Sequence, residues 1–192
     1  MISSTIPKFF EDKSENLDHE LMLDYFLSWT LRCAKSDNED IKLRDESKKI
    51  LSYLLFDKQE EFFVESIETW KQWRQIDLCA EVIINRNNIS EKYALLFENK
   101  MYTHIHSNQL ERYQKIFEEY YKSPENSKTD YKRKYIFLTC FYLESDYKSD
   151  FEECRKLTHQ AYQPLSFGWL KSKTGIKETG NYLFDEFWFR YW

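Results

Sequence analysis

The apolar run KYIFLTCFYL, at residues 134–143, constrains the fold of this chain more than any other part of its sequence. It lacks the alternation of a strand with one wet face, so it is typical of a strand covered on both faces. It follows residues 109–123, QLERYQKIFEEYYKS, whose apolar side chains recur at helical spacing. A strand that comes after a helix needs a crossover connection to join an existing sheet, which indicates a mixed sheet.

Three further β patterns precede that helix, where β-branched and aromatic residues occur in short runs. We predict strands within residues 62–73, at 76–85 and at 92–100. The loop between the last two contains paired asparagines, which tolerate turn conformations. These two strands are therefore expected to form an antiparallel hairpin.

Helical patterns lie on both sides of these strands. One helix is predicted from Glu20 to Ala34, and a second around Ile50, which Asp45 or Ser47 would cap. After residue 150 we expect helical segments broken near Pro164 and at 175–180. The predicted fold is α/β, with the core order α-β-β-β-α-β in a mixed sheet flanked by helices and with additional N- and C-terminal helices.

The length of 192 residues, with 42% hydrophobic and 18% aromatic content, predicts one well-buried domain. Within it we expect a flexible segment at residues 1–17 and N-terminal helices at 18–61. A core of sheet and helix is expected at 62–143, followed by C-terminal helices at 144–192. The C-terminal aromatic residues exceed what a surface helix needs. They are expected to pack in the core, with a homodimer contact as the alternative.

Composition excludes several classes of protein. Three glycines among 192 residues argue against a dinucleotide fold or a phosphate-binding loop, which need clustered glycines. The four cysteines form no CxxC pair, so we expect buried thiols rather than a zinc site or disulfides. No signal peptide or membrane span can be recognised, which predicts a cytoplasmic protein that does not contact the membrane. The net charge of −5 disfavours a simple electrostatic nucleic-acid-binding module.

The charged residues that end the strand patterns are the strongest candidates for chemistry. Glu98 and Lys100 lie two residues apart and therefore project from one face of their strand, whereas Asn99 points to the other face. Hairpin pairing brings Asp77 toward Glu98, and two close carboxylates repel each other unless a cation lies between them. Mg²⁺ suits that position, with Mn²⁺ as an alternative, and Lys100 would stabilise a phosphate oxyanion or orient water. Such a site would hydrolyse a phosphodiester.

These residues resemble a known family. Asp77, followed 21 residues later by Glu98-Asn99-Lys100 and then by QLERY at 109–113, is similar to the PD-(D/E)XK nuclease superfamily. The likeness is strongest to an uncharacterised group whose third strand ends in ENK and whose next helix begins QLxRY. Ile76 stands where the superfamily's name has a proline. The resemblance implies a restriction-endonuclease-like fold.

The resemblance also implies roles for single residues. Asp77 and Glu98 match the metal-binding acids, Lys100 the catalytic lysine, and Gln109 a glutamine that contacts the substrate or the catalytic groups. Glu20 in the first helix and Glu68 in the first strand are further candidate ligands. Each also has an ordinary interpretation, because an acid or amide on a helix or strand is commonly only a solvated side chain.

The resulting prediction is a Mg²⁺-dependent nuclease, endo- or exonucleolytic, that acts on nucleic acid, with DNA favoured over RNA. The alternative is a catalytically silent nucleic-acid- or protein-binding module on the same fold. His104 and His106 are expected in a loop beside the active site rather than as metal ligands. The basic cluster at Lys128 and residues 132–134 would form a solvated face or, alternatively, line a nucleic-acid path.

Overall fold

Five strands form one mixed sheet in a computed structural model that describes residues 19–101, 103–105, 108–140 and 144–189. The strands lie in chain order across the sheet, and they are β1 (Phe63–Trp73), β2 (Ile76–Arg86), β3 (Ile89–Lys100), β4 (Lys132–Thr139) and β5 (Tyr162–Ser166). The first three strands are antiparallel, and β3, β4 and β5 are parallel. The predicted α/β class and mixed sheet are confirmed.

Helices cover both faces of this sheet. Within the described residues they are α1 (His19–Cys33), α2 (Ile41–Phe56), α3 (Gln109–Lys122), α4 (Glu144–Leu157), α5 (Phe167–Thr174) and α6 (Tyr182–Phe189). Side chains of α1, α2, α5 and α6 form a hydrophobic cluster on one face, and those of α3 and α4 form a second cluster on the other. The C-terminal aromatic residues Phe184, Phe187 and Trp188 are buried in the first cluster. They pack in the core, as expected, and Trp192 lies outside the described residues.

Strand β4 contributes side chains to both clusters. Tyr135 and Phe137 belong to the cluster under α3, and Ile136 and Leu138 to the cluster on the opposite face. This double coverage explains why the sequence shows no polar alternation there. The strand ends at Thr139, and residues 141–143 of the predicted strand lie outside the described residues.

Two tight turns fix the register of the antiparallel strands. Asn87 and Asn88, with φ of 55° and 63°, connect β2 to β3, so the predicted hairpin is confirmed with a shorter loop. Arg74 and Gln75, with φ of 53° and 71°, connect β1 to β2. Left-handed backbone at both central positions matches the right-handed twist of the strands.

The structure differs from the predictions in two details. The helical segments are interrupted near Pro164, as predicted, but Pro164 lies in a strand that was not predicted, β5, opposite Phe137. An edge strand tolerates proline, because the missing N–H need not bond a neighbour. Helix α2 begins at Ile41, and the Asp40 carboxylate accepts a hydrogen bond from the Leu43 N–H, so the helix starts before the predicted caps at 45 and 47. Helix α4 begins at Glu144, the first residue of the region 144–192 where C-terminal helices were predicted and six residues before the helical pattern itself.

The predicted helix break at 175–180 and the buried cysteine thiols are confirmed. Helix α5 ends at Thr174, where Gly175 adopts the left-handed conformation with φ 59°, and the chain is non-helical until Tyr182. The four cysteines are buried thiols. None of the helices within the described residues is long and apolar enough to cross a membrane.

Candidate functional site

The predicted site residues lie where the central hairpin opens. Asp77 is the second residue of β2, and Glu98 and Lys100 are at the end of β3. The pairing of Leu78 with Phe97 continues in register to place Asp77 opposite Glu98. The turn at Asn87 and Asn88 therefore determines, from the far end of the hairpin, which side chains meet here.

Asp77, Glu98 and Lys100 form a charged cluster at this end of the hairpin, and Glu98 lies beside both of the others. Its side chain has no exposed surface, and the Lys100 ammonium nitrogen is 2.7 Å from its Oε1. Neither carboxylate oxygen has a hydrogen-bond partner of good geometry among the described residues. The carboxyl groups of Asp77 and Glu98 are within hydrogen-bonding reach of each other, but two ionised carboxylates have no proton to share. Two adjacent buried carboxylates are costly to keep ionised with only one ammonium beside them, so this arrangement calls for a further cation or a proton.

The electrostatics of the two acids agree with that geometry. Burial, followed by the negative charge of Asp77, raises the pKa of Glu98 to about 8. Burial also raises the pKa of Asp77 above 3.8, although the Asn99 N–H donates a hydrogen bond of 2.9 Å to its Oδ2. Both acids are thus less stable in their charged forms than exposed carboxylates are.

Lys100 supplies positive charge. Burial alone would lower its pKa, but the attraction of Glu98, Glu20 and Asp77 outweighs burial and holds the pKa above 10.5. The side chain is only 5% exposed. Lys100 is therefore a fixed ammonium at neutral pH and suits the stabilisation of an anion.

Glu20, in the first turn of α1, also reaches this cluster. Its Oε2 lies 4.0 Å from the Lys100 nitrogen, and its Oε1 accepts hydrogen bonds from the Met101 N–H, at 3.3 Å, and from the Thr103 hydroxyl. The structure thus brings together four of the predicted residues: Glu20, Asp77, Glu98 and Lys100.

Two predicted residues do not join them. Gln109 is the first residue of α3, and its amide nitrogen donates to the Tyr113 hydroxyl at 3.2 Å, with no contact to the carboxylates among the described residues. Glu68 is exposed on β1 opposite Glu81, four residues along β2 from Asp77. That separation is about 13 Å along the strand, too far to share a cation with Asp77.

The sequence did not reveal Asp24, which lies one helical turn after Glu20. Its carboxylate Oδ1 accepts a hydrogen bond of 2.6 Å from the Asn99 side-chain amide. Burial, followed by the charge of Asp77, raises the pKa of Asp24 to about 7. The available signal was the pair of acids four residues apart on a predicted helix, together with the expectation that Asn99 points to the opposite face from Glu98 and Lys100.

His104 lies in the loop that follows β3. Its Nδ1 is 2.8 Å from Oδ2 of Asp150, a buried residue of α4 that the sequence did not single out. The loop is held at Thr103 by Glu20, so His104 is presented beside the site. His106, the second histidine of the predicted pair, lies outside the described residues.

The predicted basic cluster is largely neutralised by ion pairs. Lys128 contacts Glu81 at 2.6 Å, Lys132 contacts Glu91 at 2.5 Å, and Arg133 contacts Glu118 at 3.0 Å. These pairs lie away from Asp77 along β2 and β3, or on α3. The basic side chains are therefore paired with acids of the sheet and of α3 and do not form an open basic surface.

Mg²⁺ and Mn²⁺ prefer oxygen ligands. Asp77 and Glu98 offer carboxylate oxygens, and the two of Glu98 have no hydrogen bond of good geometry among the described residues, so this set of ligand atoms fits a hard divalent cation. No group of three or more His, Cys, Asp or Glu side chains in the described part of the chain is arranged to hold a metal ion. Protein side chains would therefore supply only part of the coordination, which is usual for Mg²⁺.

Comparison with known proteins addresses the family. No curated protein and no solved structure matches the chain significantly. The model of the PD-(D/E)XK nuclease superfamily matches residues 3–184, nearly the whole chain. The described elements follow the predicted core order, α1-β1-β2-β3-α3-β4, with α2 inserted after α1. The chain thus belongs to the PD-(D/E)XK nuclease superfamily, with its restriction-endonuclease-like fold.

Proposed function

We propose that this protein is a metal-dependent nuclease that hydrolyses phosphodiester bonds of DNA, with Mg²⁺ as its ion and Mn²⁺ as a substitute. Membership of a nuclease superfamily supports nucleic acid as the substrate. The observation that carries the proposal is Glu98, a fully buried carboxylate beside Asp77. Neither of its oxygens has a hydrogen bond of good geometry among the described residues, although the Lys100 ammonium lies 2.7 Å from Oε1. A purely structural glutamate would have its acceptors satisfied by the surrounding protein.

Asp77 and Glu98 would hold the ion. When bound, Mg²⁺ lowers the pKa of coordinated water and offsets the charge that develops on a phosphate. The two carboxylates are well placed for this because burial disfavours their charged forms until a cation is present. Glu20 is a further candidate ligand through its position near Lys100, whereas the location of Glu68 argues against a role for it.

Lys100 would act on the scissile phosphate. Its ammonium remains charged in this environment and lies beside Glu98, so it can donate hydrogen bonds to a non-bridging phosphate oxygen. Its role is then to stabilise negative charge in the transition state and to orient the attacking water. It does not abstract a proton, because its pKa is held above 10.5.

Positive charge near the acidic site also supports an anionic substrate. Arg74 lies at the exposed turn between β1 and β2, three residues before Asp77, and its guanidinium stacks over the Trp73 ring at 4.9 Å. A guanidinium fixed in this way can contact a phosphate without losing much side-chain entropy.

The decisive assay uses the purified full chain with labelled linear DNA, circular DNA and RNA, in Mg²⁺, in Mn²⁺ and in EDTA. We expect wild-type protein to cleave DNA only with the ion, and cleavage of circular DNA would identify an endonuclease. Lys100→Ala is expected to reduce kcat by about 10²–10³-fold, the usual loss when one transition-state donor is removed. The matched control is Lys92→Ala, on the same strand, because Lys92 contacts Asp130 and the Tyr131 ring and lies eight residues before Lys100. Equal cleavage by wild type and Lys100→Ala would contradict the proposal.

A second candidate is a silent binding module on the same fold. It is favoured by one observation, that no group of three or more ligating side chains is arranged for a metal in the described part of the chain. Titration calorimetry separates the two candidates. A nuclease should release or absorb heat on binding Mg²⁺ and lose that heat in Asp77→Asn, whereas a silent module should show no metal binding but should still retain nucleic acid.

A further inference from the structure

We propose that Asp24 is a positioning residue for the candidate metal site, and that it acts through Asn99, the residue between Glu98 and Lys100. This inference rests on the proposed function, because it concerns how the carboxylates of that site are oriented. Asp24 touches neither Glu98 nor Lys100 in the described contacts. Its effect would pass through hydrogen bonds to the two strands that flank Asp77.

Asn99 makes two different hydrogen bonds, one through its side chain and one through its backbone. Its side-chain amide donates to Asp24 Oδ1 at 2.6 Å, and its backbone N–H donates to Asp77 Oδ2 at 2.9 Å. The same residue therefore connects helix α1 with the carboxylate that would bind metal. A rotation of the Asn99 peptide would change the direction of the hydrogen bond that orients Asp77.

Burial makes this connection rigid. Asp24 is 1% exposed and Asn99 is fully buried, so water is not available to replace a lost hydrogen bond. The Asn99 side-chain oxygen has no partner among the described residues, which leaves the bond to Asp24 as the contact that fixes this amide. Removing a partner from a buried polar group leaves that group with its full desolvation penalty.

Asp24 also reaches the other neighbour of β2. The Gln72 amide nitrogen makes a long contact of 3.5 Å with Asp24 Oδ2. Gln72 lies between the paired residues Lys71 and Trp73, so it is opposite Asp77, and its φ of 55° is unusual for a strand residue. Asp24 thus contacts residues on β1 and on β3 that lie on either side of Asp77.

Helix α1 carries this residue and Glu20 on one face, four residues apart. Glu20 engages the chain at Lys100, Met101 and Thr103, and Asp24 engages it at Asn99. The helix therefore holds the end of β3 at consecutive positions. Removing a residue that orients a metal ligand commonly reduces metal affinity or activity by about 10–100-fold.

The test compares Asp24→Ala, Asp24→Asn and a control, Ser28→Ala, in the full chain. Ser28 is one turn further along α1, is equally buried, and shares a 2.8 Å hydrogen bond with Thr69 of β1. Ser28→Ala therefore removes a similar hydrogen bond between the helix and the sheet without affecting a contact to β3. Asp24→Asn retains a side-chain oxygen that can accept from Asn99.

Three experiments are made: calorimetry gives the Mn²⁺ affinity, steady-state kinetics give kcat and KM for DNA cleavage, and NMR gives hydrogen exchange of the Asn99 backbone amide. For Asp24→Ala we expect Mn²⁺ affinity or kcat to fall about 10–100-fold with little change in KM. The Asn99 amide should exchange up to about tenfold faster relative to the Leu96 amide in the middle of β3. Asp24→Asn should largely restore the Mn²⁺ affinity or kcat and the slow exchange of the Asn99 amide. Ser28→Ala should change neither.

Equal effects of Asp24→Ala and Ser28→Ala in all three experiments would overturn the inference, since they would reflect a general loss of stability. Unchanged exchange at Asn99 in Asp24→Ala would overturn it as well. Exchange does not depend on catalysis. If wild-type protein neither cleaves nucleic acid nor binds metal, the proposed function fails, while faster exchange at Asn99 in Asp24→Ala alone would still support the connection from Asp24 to Asn99.

Discussion

Replacing Glu98 with glutamine should change how the stability of the protein depends on pH. Glutamine has nearly the same shape as glutamate and never ionises, so Glu98→Gln isolates the cost of the buried charge. In the folded protein the pKa of Glu98 is raised to about 8, compared with an ordinary value of 4.5. Holding the charged form in the folded state therefore costs at most about 5 kcal/mol, at about 1.4 kcal/mol for each tenfold change in the proton equilibrium.

The sign of the effect follows from proton linkage. Between pH 4.5 and 8 the folded state retains the proton on Glu98 while the unfolded chain loses it, so this contribution to stability is complete below 4.5 and is lost as the pH rises. From pH 5 to pH 8 the loss amounts to roughly 3 kcal/mol. Below pH 8 the protonated Glu98 is neutral, as glutamine is, so the variant does not change the charge beside Lys100, and the attraction between ionised Glu98 and Lys100 is already included in the pKa of Glu98.

The assay is urea unfolding of both proteins in EDTA at pH 5, 6, 7 and 8, repeated with Mg²⁺. The free energy of unfolding of wild type should fall by about 2–4 kcal/mol relative to that of Glu98→Gln as the pH rises. Mg²⁺ should restore wild type at pH 8 and leave the variant unchanged, since metal binding to the folded state stabilises it. Glu68→Gln is the control, because that exposed side chain lies outside the cluster. A difference between wild type and Glu98→Gln that stays constant with pH would refute the account of Glu98.

Three further predictions concern other parts of the molecule. Asp77→Asn should abolish the heat of Mg²⁺ binding in calorimetry while leaving the melting temperature in EDTA unchanged or higher, because a strained buried charge is removed. Burial would raise the pKa of Glu91, but hydrogen bonds from Lys132, Tyr93 and Arg86 outweigh it and lower the pKa to about 2, so its stabilisation is present above 4.5 and is lost as the pH falls toward 2. Glu91→Gln should accordingly reduce the free energy of unfolding at pH 7 by about 1–3 kcal/mol, measured in urea, and by less at pH 3. His104→Ala should raise KM for DNA and leave kcat nearly unchanged in steady-state kinetics, and a fall in kcat alone would exclude a role in substrate binding.

The central residues of the site could be predicted because strands obey a simple rule. Alternation places Glu98 and Lys100 on one face, and the short turn at Asn87 and Asn88 sets the register that brings Asp77 opposite Glu98. The alternation depends on local sequence only, whereas the sequence did not fix the register, because the predicted strands left a longer loop than the two-residue turn. The mixed sheet was predictable for a related reason, since a helix between two strands requires a crossover.

The remaining features depend on how distant elements pack. Asp24 could not be predicted because it belongs to the site only through the packing of α1 against the end of β3. Its partner Asn99 is 75 positions away in sequence, and no local sequence pattern predicts that contact. Strand β5 was missed because its five residues contain Pro164, which is unusual in a strand except at a sheet edge. Glu68 was placed on the correct strand, but the register of β1 against β2 puts it beside Glu81 rather than near Asp77.

The most direct test of the proposed site is a crystal structure of the full chain with Mn²⁺, recorded at a wavelength where manganese scatters anomalously. We expect an anomalous peak within bonding distance of a side-chain oxygen of Asp77 and one of Glu98, with the Lys100 ammonium beside it. The same crystals grown from Asp77→Asn should lose that peak. Manganese bound elsewhere, or a Glu98 carboxylate that remains without metal at saturating Mn²⁺ and pH 8, would contradict the account.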